Sequence, residues 1–293
     1  MLDAGNALFK ASVSSDDASR RRAEFILRAM GQLRTAAMAV GARDLVDGPE
    51  FLKKTAAKAK VRLLSVNLVD DRGALLFEPS MRTSISGIRV GVLGISPLQS
   101  GGRMRGNPPV QAALAEARKL KGKVDLIVAL AAVPYADALQ LSKEAGDTID
   151  LILQSHEGRG VGIPQRNGDG FVIPTGERGR QLGRLELDLS NPGPWKDLGQ
   201  KERDQQLIKV LDTQIAATQK RLEASSPRAT GSLEKTLHGF QNRRETLAKE
   251  IAGSTESGGR LLRLDFLPLG AEYASDPALK AQITVLEPEG PSH

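Results

Sequence analysis

The chain has 293 residues, 40% of them hydrophobic, which is enough to build the core of one large domain or two small ones. It has no cysteine, which excludes disulfides, thiolate metal ligands and a cysteine nucleophile, and leaves cytoplasm and periplasm equally open. The 41 basic and 35 acidic residues give a net charge of +6 and are mostly interspersed, a pattern typical of a solvated surface. Aromatic residues make up only 3% of the chain, too few to stack bases, so we predict no nucleic-acid partner.

Neither a membrane span nor a targeting segment is visible in the sequence. No apolar run is long enough to span a bilayer, so we predict no membrane span. The segment Met1-Leu-Asp-Ala-Gly-Asn6 lacks the basic start and the apolar core of a signal peptide. Asp3-Ala-Gly-Asn6 is typical of a loop after a strand, although almost no strand precedes it. It therefore stays open whether a signal peptide and a first strand lie upstream of Met1.

Hydrophobic periodicity predicts alternating helices and strands over residues 1–190. Arg20-Arg21-Arg22 is expected on the exposed face of the first helix, with an anion site there as an alternative. Asn107 is expected to cap the third helix, and Gly91 and Gly94 indicate close backbone approach within a buried strand. The predicted helices cover 15–41, 49–60, 107–121 and 135–145; the predicted strands cover 61–69, 75–77, 81–85, 88–95, 124–132, 149–153, 171–174 and 183–190.

A short apolar run from Ile149 to Leu153 predicts a strand that is buried on both faces and ends next to His156. Open α/β sheets place their sites just past the carboxyl ends of strands, which makes His156 a candidate site residue. One histidine makes neither a metal site nor a triad, so a hydrogen-bonded histidine at a strand end is the alternative.

Residues 199–253 carry two apolar stripes, separated by Ser225-Ser-Pro-Arg-Ala-Thr-Gly231, and predict an antiparallel helical hairpin with charged outer faces. Two functions remain open for this hairpin. Its helices either seal each other or pack on the main domain, or they bind a partner or a second copy as a coiled coil. After it, residues 261–267 predict a strand that returns to the sheet, and Asp276-Pro277 begins a short last helix.

These elements together predict an α/β fold in three parts. They are a layered β-sheet sandwich flanked by helices (1–195), an inserted antiparallel helical hairpin (196–256), and a returning strand with a short helix and tail (257–293).

Several segments, in the same order, resemble the calcineurin-like metallophosphoesterases, and specifically the catalytic domain of the bacterial 5′-nucleotidase family. The resemblance covers about residues 2–190, and the family's C-terminal, substrate-gripping domain has no counterpart here. The matching segments are Leu2-Asp-Ala-Gly-Asn6, Val40-Gly-Ala-Arg-Asp-Leu-Val-Asp-Gly48, Leu64-Ser-Val-Asn67, Gly87–Ile95, Asp125–Ala132, Ile149–Gly158 and Gly179–Leu187.

The resemblance implies a hydrolysis by two divalent metal ions held about 3.5–4 Å apart by aspartate, asparagine and histidine. In this chain the position of the bridging aspartate is Asn6. The ligand positions of the asparagine and of two histidines are Ala42, Ala132 and Gly158, and the family's opening Asp-x-His strand is absent. His156 matches one surviving ligand, with Asn6 and Asp44 as weak ones. Arg43 replaces a phosphate-contacting histidine; it either contacts an anion without metal, faces solvent, or pairs with Asp44 or Asp47.

The pattern therefore predicts a degenerate member of this fold that holds no metal cofactor and acts as a binding or scaffold protein, with residues 199–253 as the surface for a partner or for self-association. Two alternatives remain. One is an atypical metal-dependent or metal-free phosphoesterase with its site at Asn6, Asp44 and His156. The other is a helical-hairpin interaction module on an α/β platform. The family resemblance implies the periplasm or cell envelope.

Overall fold

The computed structural model describes residues 1–10, 15–98, 100–101, 104–155, 164–175, 180–224, 230–253, 259–270 and 272–286. The chain divides into two compact units. The first comprises Met1–Gly183 and Phe266–His293, and the second comprises Arg184–Asp265. In the described part of the chain, no helix is both long and apolar enough to cross a membrane.

Helices and strands alternate through the first unit, as predicted. The helices are α1 (Asp17–Gln32), α2 (Gly48–Ala59), α3 (Pro109–Leu120), α4 (Tyr135–Ala145) and α7 (Pro277–Leu286), with a 3₁₀ helix at Ala42–Leu45. The strands are β1 (Leu2–Asp3), β2 (Ala37–Ala39), β3 (Arg62–Leu64), β4 (Leu68–Asp70), β5 (Ser80–Ile85), β6 (Ile88–Ile95), β7 (Ser100–Gly101), β8 (Met104–Gly106), β9 (Leu126–Ala131), β10 (Leu151–Gln154), β11 (Gln165–Arg166) and β12 (Phe171–Pro174).

The largest sheet has the order β11-β12-β10-β9-β6-β5. Strands β6, β9, β10 and β12 are parallel, and the edge strands β5 and β11 are antiparallel to their neighbours. Ala131 lies opposite Gln154, so β9 and β10 end side by side at the same edge of the sheet. Residues of these central strands, such as Leu93 and Ala129, form one buried cluster with Ala113 of α3 and Leu141 of α4.

A second, three-stranded parallel sheet has the order β1-β2-β3. Met38 of this sheet is buried in a second cluster with Leu27 of α1 and Leu52 of α2. The two sheets approach closely at Gly94, where an added Cβ would lie 2.2 Å from the carbonyl oxygen of Leu64. The close approach predicted at Gly94 is therefore confirmed, and the fold is a layered α/β arrangement of sheets flanked by helices.

The predicted helix over residues 15–41 is wrong over about its last third, after Gln32. α1 ends at Gln32, Arg34 has a left-handed φ of 56°, and Ala37–Ala39 forms the buried strand β2. A short apolar run looks the same in a buried strand and in a buried helix, which explains the error. Asn107 also does not cap α3: Pro108 occupies that position, and the Asn107 carbonyl accepts a hydrogen bond from Asn67.

The single strand predicted over 61–69 is two strands, β3 and β4, in different sheets. Between them, Ser65 and Asn67 are fully buried and hydrogen-bond to Ser96 at the end of β6. This polar network replaces the sheet ladder at these residues, so the chain leaves one sheet and enters the next. Residues 75–77, also predicted as a strand, make only an isolated bridge through Leu75.

The second unit contains the predicted helical hairpin, formed by α5 (Gln200–Glu223) and α6 (Thr230–Gly253). Leu211 and Leu247 are its buried apolar residues, and most other apolar residues of the stripes are half-buried. The remaining strands are β13 (Gln181–Asp188), β14 (Trp195–Asp197) and β15 (Arg260–Pro268). They form a sheet of order β13-β15-β14, so the predicted returning strand pairs with these two and not with the six-stranded sheet.

Candidate functional site

Four loops meet beyond the carboxyl ends of β1, β2, β9 and β10. Gly5 packs so closely that an added Cβ would lie 2.6 Å from the Ala39 carbonyl oxygen and 3.1 Å from Cβ of Ala132. The Ser155 hydroxyl donates to the carbonyls of Ala4 and Gly5, at 2.5 and 2.9 Å. The structure therefore brings together the loops in which the sequence placed the candidate residues, at the edge where α/β sheets carry their sites.

Asn6 lies at the centre of this loop cluster in a left-handed conformation, with a φ of 62°. Its side-chain Oδ1 accepts the backbone N–H of Arg43 at 3.2 Å, and its Nδ2 donates to the Ser155 carbonyl at 3.3 Å. A Cβ on Gly41 would lie 2.3 Å from this Oδ1, so only glycine leaves room for the amide. Asparagine tolerates this backbone region better than most residues, and its amide joins the three loops.

Asp44 is fully buried, and both of its carboxylate oxygens accept backbone N–H groups. Oδ2 accepts from Asn6 at 2.7 Å and Gly41 at 2.8 Å, and Oδ1 accepts from Ala7 at 2.9 Å and Leu8 at 3.1 Å. Four donors fill the acceptor capacity of a carboxylate, so this side chain fixes the two loops to each other.

Burial dominates the electrostatics of this carboxylate. It raises the pKa of Asp44 to about 7, while the N–H donors oppose the rise and the nearby Asp3 carboxylate adds to it. Burial likewise raises the pKa of Asp3, against the effect of a hydrogen bond from the Gly5 N–H at 2.8 Å. Two carboxyl groups with raised pKa values thus lie behind the loop that carries Asn6.

Arg43 is exposed beside Asn6. Its guanidinium makes no ion pair with any residue in the described part of the chain. Both predicted pairings are absent: Asp44 binds backbone groups, and Asp47 is bound by Arg20 Nε at 2.7 Å and by the Ser15 hydroxyl. The side chain of Arg43 therefore faces solvent, which is one of the three alternatives considered from the sequence. Contact of Arg43 with an anion stays a prediction.

The remaining candidate positions carry no donor side chain or are not described. Ala132 is fully buried against Gly5, and Ala42 is half-buried at the start of the 3₁₀ helix. His156 and Gly158 lie outside the described residues. Across the described ranges, no group of three or more His, Cys, Asp or Glu side chains is placed to hold a metal ion. The donors that are described there do not fit a pair of divalent ions.

Two elements of the cluster were not found from the sequence. Ser155 is not among the candidate residues predicted from the sequence, yet its hydroxyl and carbonyl join the β10 end to the loop after β1. Gly41 is required by the volume of the Asn6 amide. The sequence signal that could have identified Ser155 is a small polar residue directly after a buried strand. The need for glycine at position 41 has no such signal, because it depends on packing between distant segments.

Comparisons with solved structures identify the class of fold: it is that of the calcineurin-like phosphoesterases. The chain resembles YfkN, a calcineurin-like phosphoesterase of Bacillus subtilis, with a TM-score of 0.53 and 17% identity over 64% of this chain and 70% of that one. It also resembles a 5′-nucleotidase precursor of Thermus thermophilus, with a TM-score of 0.53 and 23% identity over 64% of this chain and 41% of that one.

The sulfate thiohydrolase SoxB of Thermus thermophilus shares the fold as well, with a TM-score of 0.55 and 20% identity over 64% of this chain and 35% of that one. In sequence, the chain is 29% identical over 147 residues to an apyrase of Aedes albopictus. That match covers 46% of this chain and only 25% of the apyrase. No protein-family model matches the chain. The chain is thus similar to the 5′-nucleotidase and calcineurin-like phosphoesterase group, and spans well under half the length of most of these relatives.

Proposed function

We propose that this protein is a degenerate metallophosphoesterase-fold protein that hydrolyses no phosphate ester and acts as a binding or scaffold protein. The observation that carries the proposal is the state of the loop cluster around Asn6. The side chains there hold the loops together and leave few donors for a metal ion. The fold is inferred from the similarity to 5′-nucleotidases. The side-chain contacts in the loop cluster support the loss of phosphate-ester hydrolysis.

The argument depends on what a two-metal centre requires. A bridging ligand between two dications is normally an anionic carboxylate, and Asn6 offers a neutral amide whose oxygen already accepts the Arg43 N–H. Asp44 is a carboxyl group, but four backbone donors occupy its oxygens, and burial raises its pKa to about 7, which disfavours the charged form that a metal ion needs. Ala42 and Ala132 have only methyl side chains, which cannot bind a metal ion. Metal affinity falls steeply when ligands are removed, so His156 alone does not compensate.

The test is elemental analysis of the purified protein after incubation with Mn²⁺ and Zn²⁺, together with hydrolysis of a generic phosphomonoester. We expect less than one equivalent of metal and no turnover above buffer. Two equivalents of metal with turnover that is lost in His156→Ala would overturn the proposal. A matched variant restores side chains at the altered positions: Asn6→Asp, Ala42→Asn, Ala132→His and Gly158→His. An increase in bound metal in this variant supports the assignment of these positions.

Arg43 favours a second candidate, a metal-free anion site at the same loops. Its exposed guanidinium has no carboxylate partner in the described ranges, and it lies where the resemblance places a phosphate contact. The test is titration with inorganic phosphate and a nucleoside monophosphate, comparing the wild type with Arg43→Gln and the control Arg82→Gln. Loss of binding only in Arg43→Gln supports this candidate, and equal binding in all three proteins rejects it.

The hairpin formed by α5 and α6 is the proposed surface for a partner or a second copy. Its half-buried stripes and the 51% exposed Val210 leave apolar area on two long, charged helices. Light scattering of the full chain over a range of concentrations, beside a variant lacking residues 200–253, tests self-association. If the protein is a monomer at all concentrations, self-association is excluded, and a different protein is the only partner that this proposal allows for the hairpin.

We also propose that the protein is located in the periplasm or cell envelope, because the family that it resembles is mostly exported. Fractionation of the source cells tests this location.

A further inference from the structure

An apolar groove lies between α1 and α7, and none of its lining residues belongs to the loop cluster around Asn6. Phe25 of α1 lines one side, and Val285 and Leu286 of α7 line the other, around a cavity of about 450 Å³. Cavities of roughly 300–1,000 Å³ are typical of sites for small molecules. This groove therefore has the size of a binding site rather than of a packing defect.

α7 is an unusual helix because it is apolar and yet is left largely exposed by the described part of the chain. Only three of its ten residues are polar, and none of the ten is buried. Val285 is 82% exposed, although burial of such a side chain is worth about 2 kcal/mol. Apolar helices of globular proteins normally face a core or a ligand. The contact of Arg28 with Gln282, at 3.4 Å, positions α7 beside α1 without closing the groove.

The charges on the rim select the kind of ligand. Arg21 and Arg28 lie seven residues apart on the groove-lining face of α1, about 10 Å along the helix axis. Neither arginine forms an ion pair with the described residues. Glu24 lies between them and also lines the groove, so the rim has a net charge of +1. This charge suits a monoanion, because a second negative charge on the ligand would be repelled by Glu24.

We propose that this groove binds an amphiphilic monocarboxylate, with its apolar tail against Phe25, Val285 and Leu286 and its carboxylate at Arg21 and Arg28. Guanidinium forks match carboxylates in geometry, and the cavity volume suits a tail of roughly ten to twelve carbons. This inference is independent of the proposed function, since no residue of the groove belongs to the Asn6 loop cluster.

The test is isothermal titration calorimetry of the full chain with laurate, below its micelle-forming concentration, beside dodecyltrimethylammonium, which has the same tail and the opposite charge. We expect one laurate per chain with a dissociation constant on the order of micromolar, and binding of the cation at least about tenfold weaker. Equal affinity for both amphiphiles would overturn the proposal, as would binding only to anionic vesicles or only to an acidic amphipathic peptide.

Two substitutions, Arg28→Gln and Glu24→Gln, change the charge of the rim, and a third, Arg34→Gln, serves as a control. Arg28→Gln should weaken laurate binding about fivefold, and Glu24→Gln should strengthen it about twofold, because the two changes alter the rim charge in opposite directions. Arg34→Gln, beyond the end of α1, is the control and should change nothing. If Arg28→Gln and Glu24→Gln both bind like the wild type, the carboxylate does not lie at this rim and the inference fails.

Discussion

At the scale of single residues, Asp44 does the most to hold the candidate site in shape. Replacing it with alanine leaves four backbone N–H groups, two of them buried and two half-buried, without their acceptor. We expect Asp44→Ala to lower the free energy of unfolding by about 3 kcal/mol, measured by urea denaturation. The matched control is Asp70→Ala, whose carboxylate also accepts two backbone N–H groups but in an exposed turn. A loss in Asp44→Ala no larger than in this control would contradict the role.

The same carboxyl group predicts a pH dependence. The folded pKa of Asp44 is raised from 3.8 to about 7, so the folded state binds more protons than the unfolded state between these values. Its contribution to stability is therefore fully present below about pH 4 and is lost as the pH rises through 7, by an amount on the order of 4 kcal/mol. Asp3 acts in the same direction.

The measurement is urea denaturation at a series of pH values from 4 to 8, for wild type and Asp44→Asn. The asparagine keeps an acceptor but cannot titrate, so most of the slope over this window should disappear. A slope that persists unchanged in the variant would assign the effect to other groups. Asp125, whose ion pair with Arg89 lowers its pKa to about 2, titrates below the window and does not interfere.

At the scale of elements, the base of the hairpin is held by an ion pair that is unlike those along its length. The Asp197 carboxylate at the end of β14 is 2% exposed and accepts from Arg203 of α5, whose side chain is 31% exposed. The Arg244–Asp212 pair between the two helices is 45% and 48% exposed. Removing one partner of a largely buried pair leaves an uncompensated charge, whereas an exposed pair contributes little.

We therefore expect Arg203→Met to destabilise the second unit by about 2 kcal/mol, and Arg244→Met by less than about 0.5 kcal/mol. Hydrogen exchange of the α5 amides provides the measurement, with faster exchange near Gly199 only in Arg203→Met. Similar exchange in both variants would mean that the pair at the base does not hold the hairpin.

At the scale of the whole molecule, the two compact units predict separable stability. The first unit has its own buried clusters on both sheets, and the hairpin is a continuous insertion in the second. Replacing residues 200–253 with a short Gly/Ser linker should leave the hydrogen-exchange protection of β6 and β9 within about twofold of the wild type. Loss of protection throughout the six-stranded sheet would show that the hairpin is part of the folding unit.

Local sequence patterns were enough to predict the alternating α/β elements, the hairpin and the order of the segments that resemble 5′-nucleotidases. These features are local, since periodicity and loop residues act over a few positions. Strand β6 and helix α4 were predicted to the residue for this reason. The division of the chain at residues 195 and 256 stays a prediction, as does a metal role for His156.

The contacts of the candidate residues became known only from the three-dimensional structure. Asp44 looks like a ligand in the sequence, but its neighbours are four N–H groups from two loops. Val285 looks like a core residue, but no described element covers it. Hydrogen-bond partners and burial depend on segments that are far apart in the chain, and no local pattern encodes the contacts between them.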